Sequence, residues 1–232
     1  MRIEDYPPQE PLSEAGRAYA AECLRRGADL PYEEASYGTD PYQCVSIFRA
    51  AQPDGRVLLC WHGGGWTSGY KEWMHFNAPP FNAAGVTFVS AGYRLAPTHV
   101  FPVAYEDCMR AVAWVHHHVA AYGGDPARLF VGGHSAGAHY AALLAVRRDW
   151  QARVDLPVDV IRGAIPVSGT YWFGEGSGLS TRPRFLGPER PDNRNENDAS
   201  PLRNLQPPLP PLLVFHGGED FPHLSRQAEA FE

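Results

Sequence analysis

The chain has one lysine, Lys71, among its 20 basic residues, and no basic run anywhere. With 26 acidic residues the formal net charge is −6, which argues against nucleic-acid binding by bulk charge and against a cationic patch for an anionic membrane surface. No stretch approaches the roughly 18 apolar residues that cross a bilayer. The opening residues, MRIEDYPPQEPLSE, are polar and proline-rich, unlike a signal or transit peptide. Cysteine is sparse: Cys23, Cys44, Cys60 and Cys108 form no C-x-x-C pair and read as free thiols of a cytoplasmic protein. Cys60 falls in an apolar strand-like run and Cys108 in a helical pattern, where both serve as small core residues. No internal repeat is present.

What remains is a chain of 232 residues, 44% apolar, enough for a single domain with a real core. Glycine (23) and proline (22) make up about a fifth of it, which predicts a loop-rich protein rather than a helical bundle. A helix is expected over 14–26, begun by Ser13, and a strand over 43–48. Continuous apolar runs at 56–61, 86–90, 129–132, 160–167 and 212–215 suit strands buried on both faces, as in a parallel sheet. Between them, 103–122 places Cys108, Val112, Val115 and Val119 on one helical face and stops at Gly123-Gly124. A second helix, rich in alanine and leucine, spans 136–147. Alternation of this kind predicts a doubly wound α/β sheet with its site at the carboxyl ends of the strands.

The motifs fall at those ends. Ser135 sits in Gly133-His134-Ser135-Ala136-Gly137, after a strand and before a helix, the setting of a nucleophile elbow. His62-Gly63-Gly64-Gly65-Trp66 follows the strand at 56–61. It has neither the lysine and hydroxyl of a phosphate loop nor dinucleotide-binding glycine spacing. It reads instead as an oxyanion hole, with Gly64 and Gly65 donating from the loop and Ala136 from the residue after the nucleophile. His62 is expected to tie the loop down through its ring. The strand at 212–215 leads into His216-Gly217-Gly218-Glu219-Asp220. Asp220 is the first choice for an acid that orients a histidine, Glu219 the alternative, and His216 belongs to the turn itself. The run His116-His117-His118 cannot converge on one metal, because neighbours on a helix point about 100° apart. The acid pairs Glu33-Glu34 and Glu106-Asp107 likewise read as surface or capping groups.

HGGGW at 62–66 and GHSAG at 133–137, with YRLAP at 93–97 and GGDP at 123–126 between them, resemble the α/β-hydrolase superfamily. Within it the sequence is most similar to the hormone-sensitive-lipase-like esterases and the neighbouring kynurenine formamidases. The SPL at 200–202 and DFPHLSRQ at 220–227 look formamidase-like, while Gly65 stands where formamidases usually carry an aromatic residue.

The resemblance implies an α/β-hydrolase fold, with a mainly parallel sheet flanked by helices and a loop-rich cap over 169–211. It implies a cofactor-free serine hydrolase of small esters, or of aryl formamides, working through an acyl-enzyme on Ser135. Trp66, Tyr70, Tyr171 and Trp172 are expected to wall the pocket, although packing of the cap onto the sheet accounts equally well for the aromatics at 171–173. The family's histidine lies one strand beyond the acid, and only 12 residues follow Asp220. The expectation is therefore of a chain ending before its last strand and its base. His223 is the sole local substitute, and a non-catalytic, hydrolase-like binding protein is the competing reading. A sheet lacking its last strand leaves an edge suited to pairing two copies as a homodimer.

Overall fold

The computed structural model describes residues 2–231. The first helix, α1 (Glu14–Gly27), starts where the Ser13 hydroxyl accepts the Gly16 N–H at 3.1 Å. Strands β1 (Glu33–Ser36), β2 (Cys44–Phe48) and β3 (Gly55–Trp61) follow. A 3-10 segment, Lys71–Asn77, then leads into the short α2 (Ala78–Ala83) and β4 (Thr87–Ala91). Helix α3 (Val103–His118) tightens into a 3-10 turn, Val119–Tyr122, so the helix expected over 103–122 is real but changes pitch in its last turn. Gly123, at φ 80, ends it. After β5 (Gly124–His134), α4 (Ala136–Val146) and β6 (Ile161–Val167) complete the regular sheet. The short α5 (Arg194–Ala199) and α6 (Pro222–Phe231) come last.

The sheet runs β1-β2-β4-β3-β5-β6. β4, β3, β5 and β6 are parallel, with β1 and β2 joined antiparallel at one edge. Alternation along β3 divides the core. Val57, Leu59 and Trp61 join a cluster with α3 and α4 on one face, while Leu58 and Cys60 pack with Phe88, Met74 and Ala78 on the other. Every residue of α4 is buried, which explains why its sequence is apolar all round. All four cysteines are buried and unbonded to one another. No helix among the described residues is long and apolar enough to cross a membrane.

The segment expected as a doubly buried strand at 212–215 behaves differently. It meets β6 through two isolated parallel bridges, Ala164↔Leu212 and Val167↔Phe215. These are carried by Leu213 N–H to Ala164 O (2.9 Å) and Ser168 N–H to Phe215 O (2.8 Å). Pro208, Pro210 and Pro211 precede it and donate no N–H, and it has a partner on one side only, so Leu213 and Phe215 stay about half exposed.

Residues 169–211 are mostly irregular. Even so, Phe173, Phe185, Leu186 and Ala199 are buried in the main core cluster. Gln227 of α6 staples this segment's start. Its Oε1 accepts from the N–H groups of Tyr171 (2.6 Å) and Trp172 (3.0 Å), and its amide nitrogen donates to the carbonyls of Trp172 (3.2 Å) and Ser177 (2.7 Å).

Candidate active site

Ser135 is the hinge between β5 and α4, at φ 53 and ψ −114. A side chain held there costs on the order of 1–3 kcal/mol and persists only where neighbours over-determine it. Its N–H donates to Val167 O of β6 (2.9 Å), and its carbonyl accepts the His139 N–H of α4 (3.0 Å). The helix begins directly on the end of β3: a Cβ at Gly137 would lie 2.1 Å from Trp61 O, so only glycine lets α4 approach this closely. The Ser135 hydroxyl is half-buried and makes no hydrogen bond among the described residues.

The glycine loop runs beside it. A Cβ at Gly63 would come 3.1 Å from Ser135 Cβ. Gly64 turns the loop at φ 118, and its carbonyl accepts from Thr67 N (3.2 Å), Ser68 N (3.0 Å) and Ser68 Oγ (2.9 Å). The N–H groups of Gly64 and Gly65 meet no acceptor among the described residues. The Ala136 amide, at the first position of α4, has no acceptor within its own helix. The Ala136 amide and Ser135 thus stand at the positive end of α4, beside the loop that carries the Gly64 and Gly65 amides.

His62 does what its position implied. Its Nδ1 donates to Gly63 O at 2.7 Å and its ring stacks on Tyr93 at 4.4 Å, while burial holds its pKa down to about 4. It is neutral and structural.

Asp220 is partly buried and Glu219 is exposed. The Asp220 carboxylate accepts from Ser168 Oγ (2.6 Å) and Gly217 N (2.7 Å). Partial burial alone would raise its pKa, but these bonds and the neighbouring His134 and His216 bring it below the usual value. Ser168, at the end of β6 with φ 54, was not singled out from sequence. A hydroxyl residue one position past β6 was the only signal. His134 precedes the serine and shares a 3.3 Å hydrogen bond through Nδ1 with the Tyr19 hydroxyl; burial lowers its pKa despite the opposing influence of Asp220.

The two histidines near Asp220 in sequence make local contacts instead. His216 bonds Gly217 O at 3.1 Å within its own turn, and His223 stacks on Phe221 at 5.8 Å. Among the described residues no imidazole hydrogen-bonds to Ser135 or Asp220. No cluster of His, Cys, Asp or Glu there is arranged to hold a metal ion.

The aromatic wall expected from sequence is redistributed. Trp66 is 8% exposed, stacked on Phe185 at 4.3 Å, with its indole N–H on His139. Tyr171 is fully buried and stacked on Phe231 at 4.4 Å. Both rings pack the 169–211 segment and α6 onto the core rather than lining an open pocket. Tyr70 lies against Tyr6 and Trp73 under the N-terminal segment, and Trp172 alone of the strand-end pair stays half-buried.

Several known proteins are similar to this chain. Esterase LipC of Mycobacterium tuberculosis is 31% identical over 225 residues, 90% of this chain and 56% of the relative. A carboxylesterase of the same organism, NlhH, is 40% identical over 123 residues, half of this chain and 38% of that protein. The chain spans about half the length of the curated relatives it matches. Among solved structures, an esterase from Pyrobaculum calidifontis superposes with a TM-score of 0.72 at 23% identity, covering 93% of this chain and 76% of that one. The butyrate-bound esterase Est2 of Thermogutta terrifontis gives 0.71 at 24%, covering 88% and 78%. A family profile described as the alpha/beta hydrolase fold matches residues 58–231, three quarters of the chain and both glycine motifs, and the chain belongs to that family.

Proposed function

We propose that the protein is a serine hydrolase of small carboxylic esters, with Ser135 as the nucleophile. The observation that carries this reading is the strained backbone at Ser135, set against a glycine loop whose Gly64 and Gly65 amides have no acceptor among the described residues. A carbonyl carbon placed over the Ser135 hydroxyl would have its oxygen among the N–H groups of Gly64, Gly65 and Ala136. As the centre becomes tetrahedral, those preorganised donors stabilise the developing anion, an effect worth on the order of 10²–10³ in rate per donor. The alcohol leaves, an acyl-enzyme remains on Ser135, and water releases the acid. Asp220, ionised and fixed by Ser168 and Gly217, is the acid that would orient an imidazole. No cofactor enters the scheme. The names of the relatives, esterases and carboxylic ester hydrolases, support the ester over the aryl formamide.

A second reading, a hydrolase-like binding protein, is favoured by one observation: no imidazole bonds Ser135 or Asp220 among the described residues. A serine hydroxyl without a base is protonated and weakly nucleophilic at neutral pH, and a triad lacking a member keeps only about 10³–10⁴-fold acceleration over water. The 232-residue chain is therefore expected to hydrolyse p-nitrophenyl acetate slowly, faster than N-formylkynurenine, and to lose that activity in Ser135→Ala. Equal rates for wild type and Ser135→Ala would leave the binding reading.

A further inference from the structure

Both halves of the oxyanion hole converge on one buried side chain outside it. His139 lies one helical turn after Ser135 on α4 and is fully buried. Its Nε2 lies 2.7 Å from Ala199 O, and a carbonyl can only accept, so Nε2 carries the proton. Nδ1 is then a lone pair, and it receives the indole N–H of Trp66 at 3.0 Å. Trp66 directly follows Gly65, sits at φ 65, and is wedged between Phe185 and Phe173. One imidazole thus ties the glycine loop to the nucleophile helix on one side and to α5 of the cap on the other.

From this geometry we infer that His139 is a positioning residue. Through Trp66 it holds the Gly64 and Gly65 amides in register with Ser135 and Ala136, and through Ala199 it registers the cap. The inference rests on the esterase reading of that site. Without the Nδ1 acceptor, the Trp66 N–H would be buried without a partner, a cost relieved by moving the loop. A displacement of about 1 Å at such a site is worth about 10²-fold in rate. The ring must stay neutral to accept, and burial keeps its pKa down to about 4.

Two isosteres separate the two bonds. Asn places an oxygen where Nδ1 stands and keeps the Trp66 bond alone. Gln places an amide nitrogen where Nε2 stands and keeps the Ala199 bond alone. His139→Gln and Trp66→Phe, which keeps the stacked ring, are expected to lower kcat for p-nitrophenyl acetate by about 10–100-fold, with KM changed less than about threefold. His139→Asn is expected to retain kcat within about threefold of wild type. Hydrogen exchange read by mass spectrometry gives a second readout that needs no turnover. The Thr67 and Ser68 amides, both bonded to Gly64 O, should exchange faster in His139→Gln and Trp66→Phe but not in His139→Asn. If wild type hydrolyses no ester, the esterase reading fails and the exchange pattern alone decides the positioning role. Equal kcat in all variants, equal loss in Asn and Gln, or unchanged exchange in every variant would overturn it.

Discussion

Gly64 and Gly65 are neighbours in one loop, and the structure assigns them very different tolerance. Gly64 is at φ 118, outside any region an L-residue readily adopts, and an added Cβ would lie 2.0 Å from Ser68 O. Ordinary contact begins near 3.4 Å, so the loop must open by more than an ångström between Gly64 and Ser68. That movement breaks the three hydrogen bonds to Gly64 O and displaces the Gly64 amide, one of the proposed oxyanion donors. Gly65 is at φ 61, inside the left-handed region, with only Thr67 Oγ1 within 4.0 Å of an added Cβ. Ala there costs the left-handed penalty alone, about 1–2 kcal/mol. Gly64→Ala should therefore lower esterase kcat by about 10²-fold, as loss of one oxyanion donor does, and Gly65→Ala by no more than about threefold. Its strain of about 1–3 kcal/mol, plus the clash, should also depress the melting temperature more, at about 2–4 °C per kcal/mol for a chain of this size. The assay is p-nitrophenyl acetate hydrolysis with Ser135→Ala as background, beside thermal unfolding of the same samples. A Gly64→Ala protein as active and as stable as Gly65→Ala would refute the loop geometry and the oxyanion role built on it.

Three further outcomes follow from packing. His75 is buried against Phe48 and Tyr32, with its pKa held down to about 3 by burial, while an unfolded histidine titrates near 6.5. Its contribution is complete above pH 6.5 and falls by about 1.4 kcal/mol per unit as pH drops towards 3; urea titrations of His75→Phe should show a shallower acid limb, and an unchanged slope would contradict this. Gln227→Leu removes four hydrogen bonds and strands the buried Tyr171 amide and the half-buried Trp172 amide, so a loss of about 2–4 kcal/mol and earlier proteolysis near 171–178 are expected. Lys71 is fully buried, with its ammonium on Glu34 and Glu72, so amine-acylating reagents should leave it unmodified until denaturant unfolds the chain.

The elements visible in the sequence are those that local chemistry dictates. Ser13 announces α1, the glycines around Ser135 announce the elbow, and Gly123 ends the 103–122 helix because each answers a steric or hydrogen-bonding demand within a few residues. β1 gave no pattern because Glu33–Ser36 is a polar edge strand, and α2 was hidden by two prolines in its first turns. At the site, local sequence leaves Asp220 and Glu219 as alternatives, because the bonds that fix the Asp220 carboxylate come from a turn closing through Gly217 N and from Ser168, far away in sequence. The pocket aromatics misled for a related reason. An aromatic at a strand end is equally suited to a pocket and to a core, and contacts with Phe185 and Phe231, far away in sequence, place Trp66 and Tyr171 in the core.

The central claim is that Ser135 is the nucleophile, and the covalent intermediate tests it most directly. The native chain should be incubated with a p-nitrophenyl phosphonate, which places a tetrahedral oxyanion in the hole, and its intact mass and tryptic peptides then measured. The account predicts a single adduct on the peptide carrying Ser135, absent in Ser135→Ala and strongly slowed in Gly64→Ala. An adduct on another residue, or equal labelling of Ser135→Ala, would contradict it.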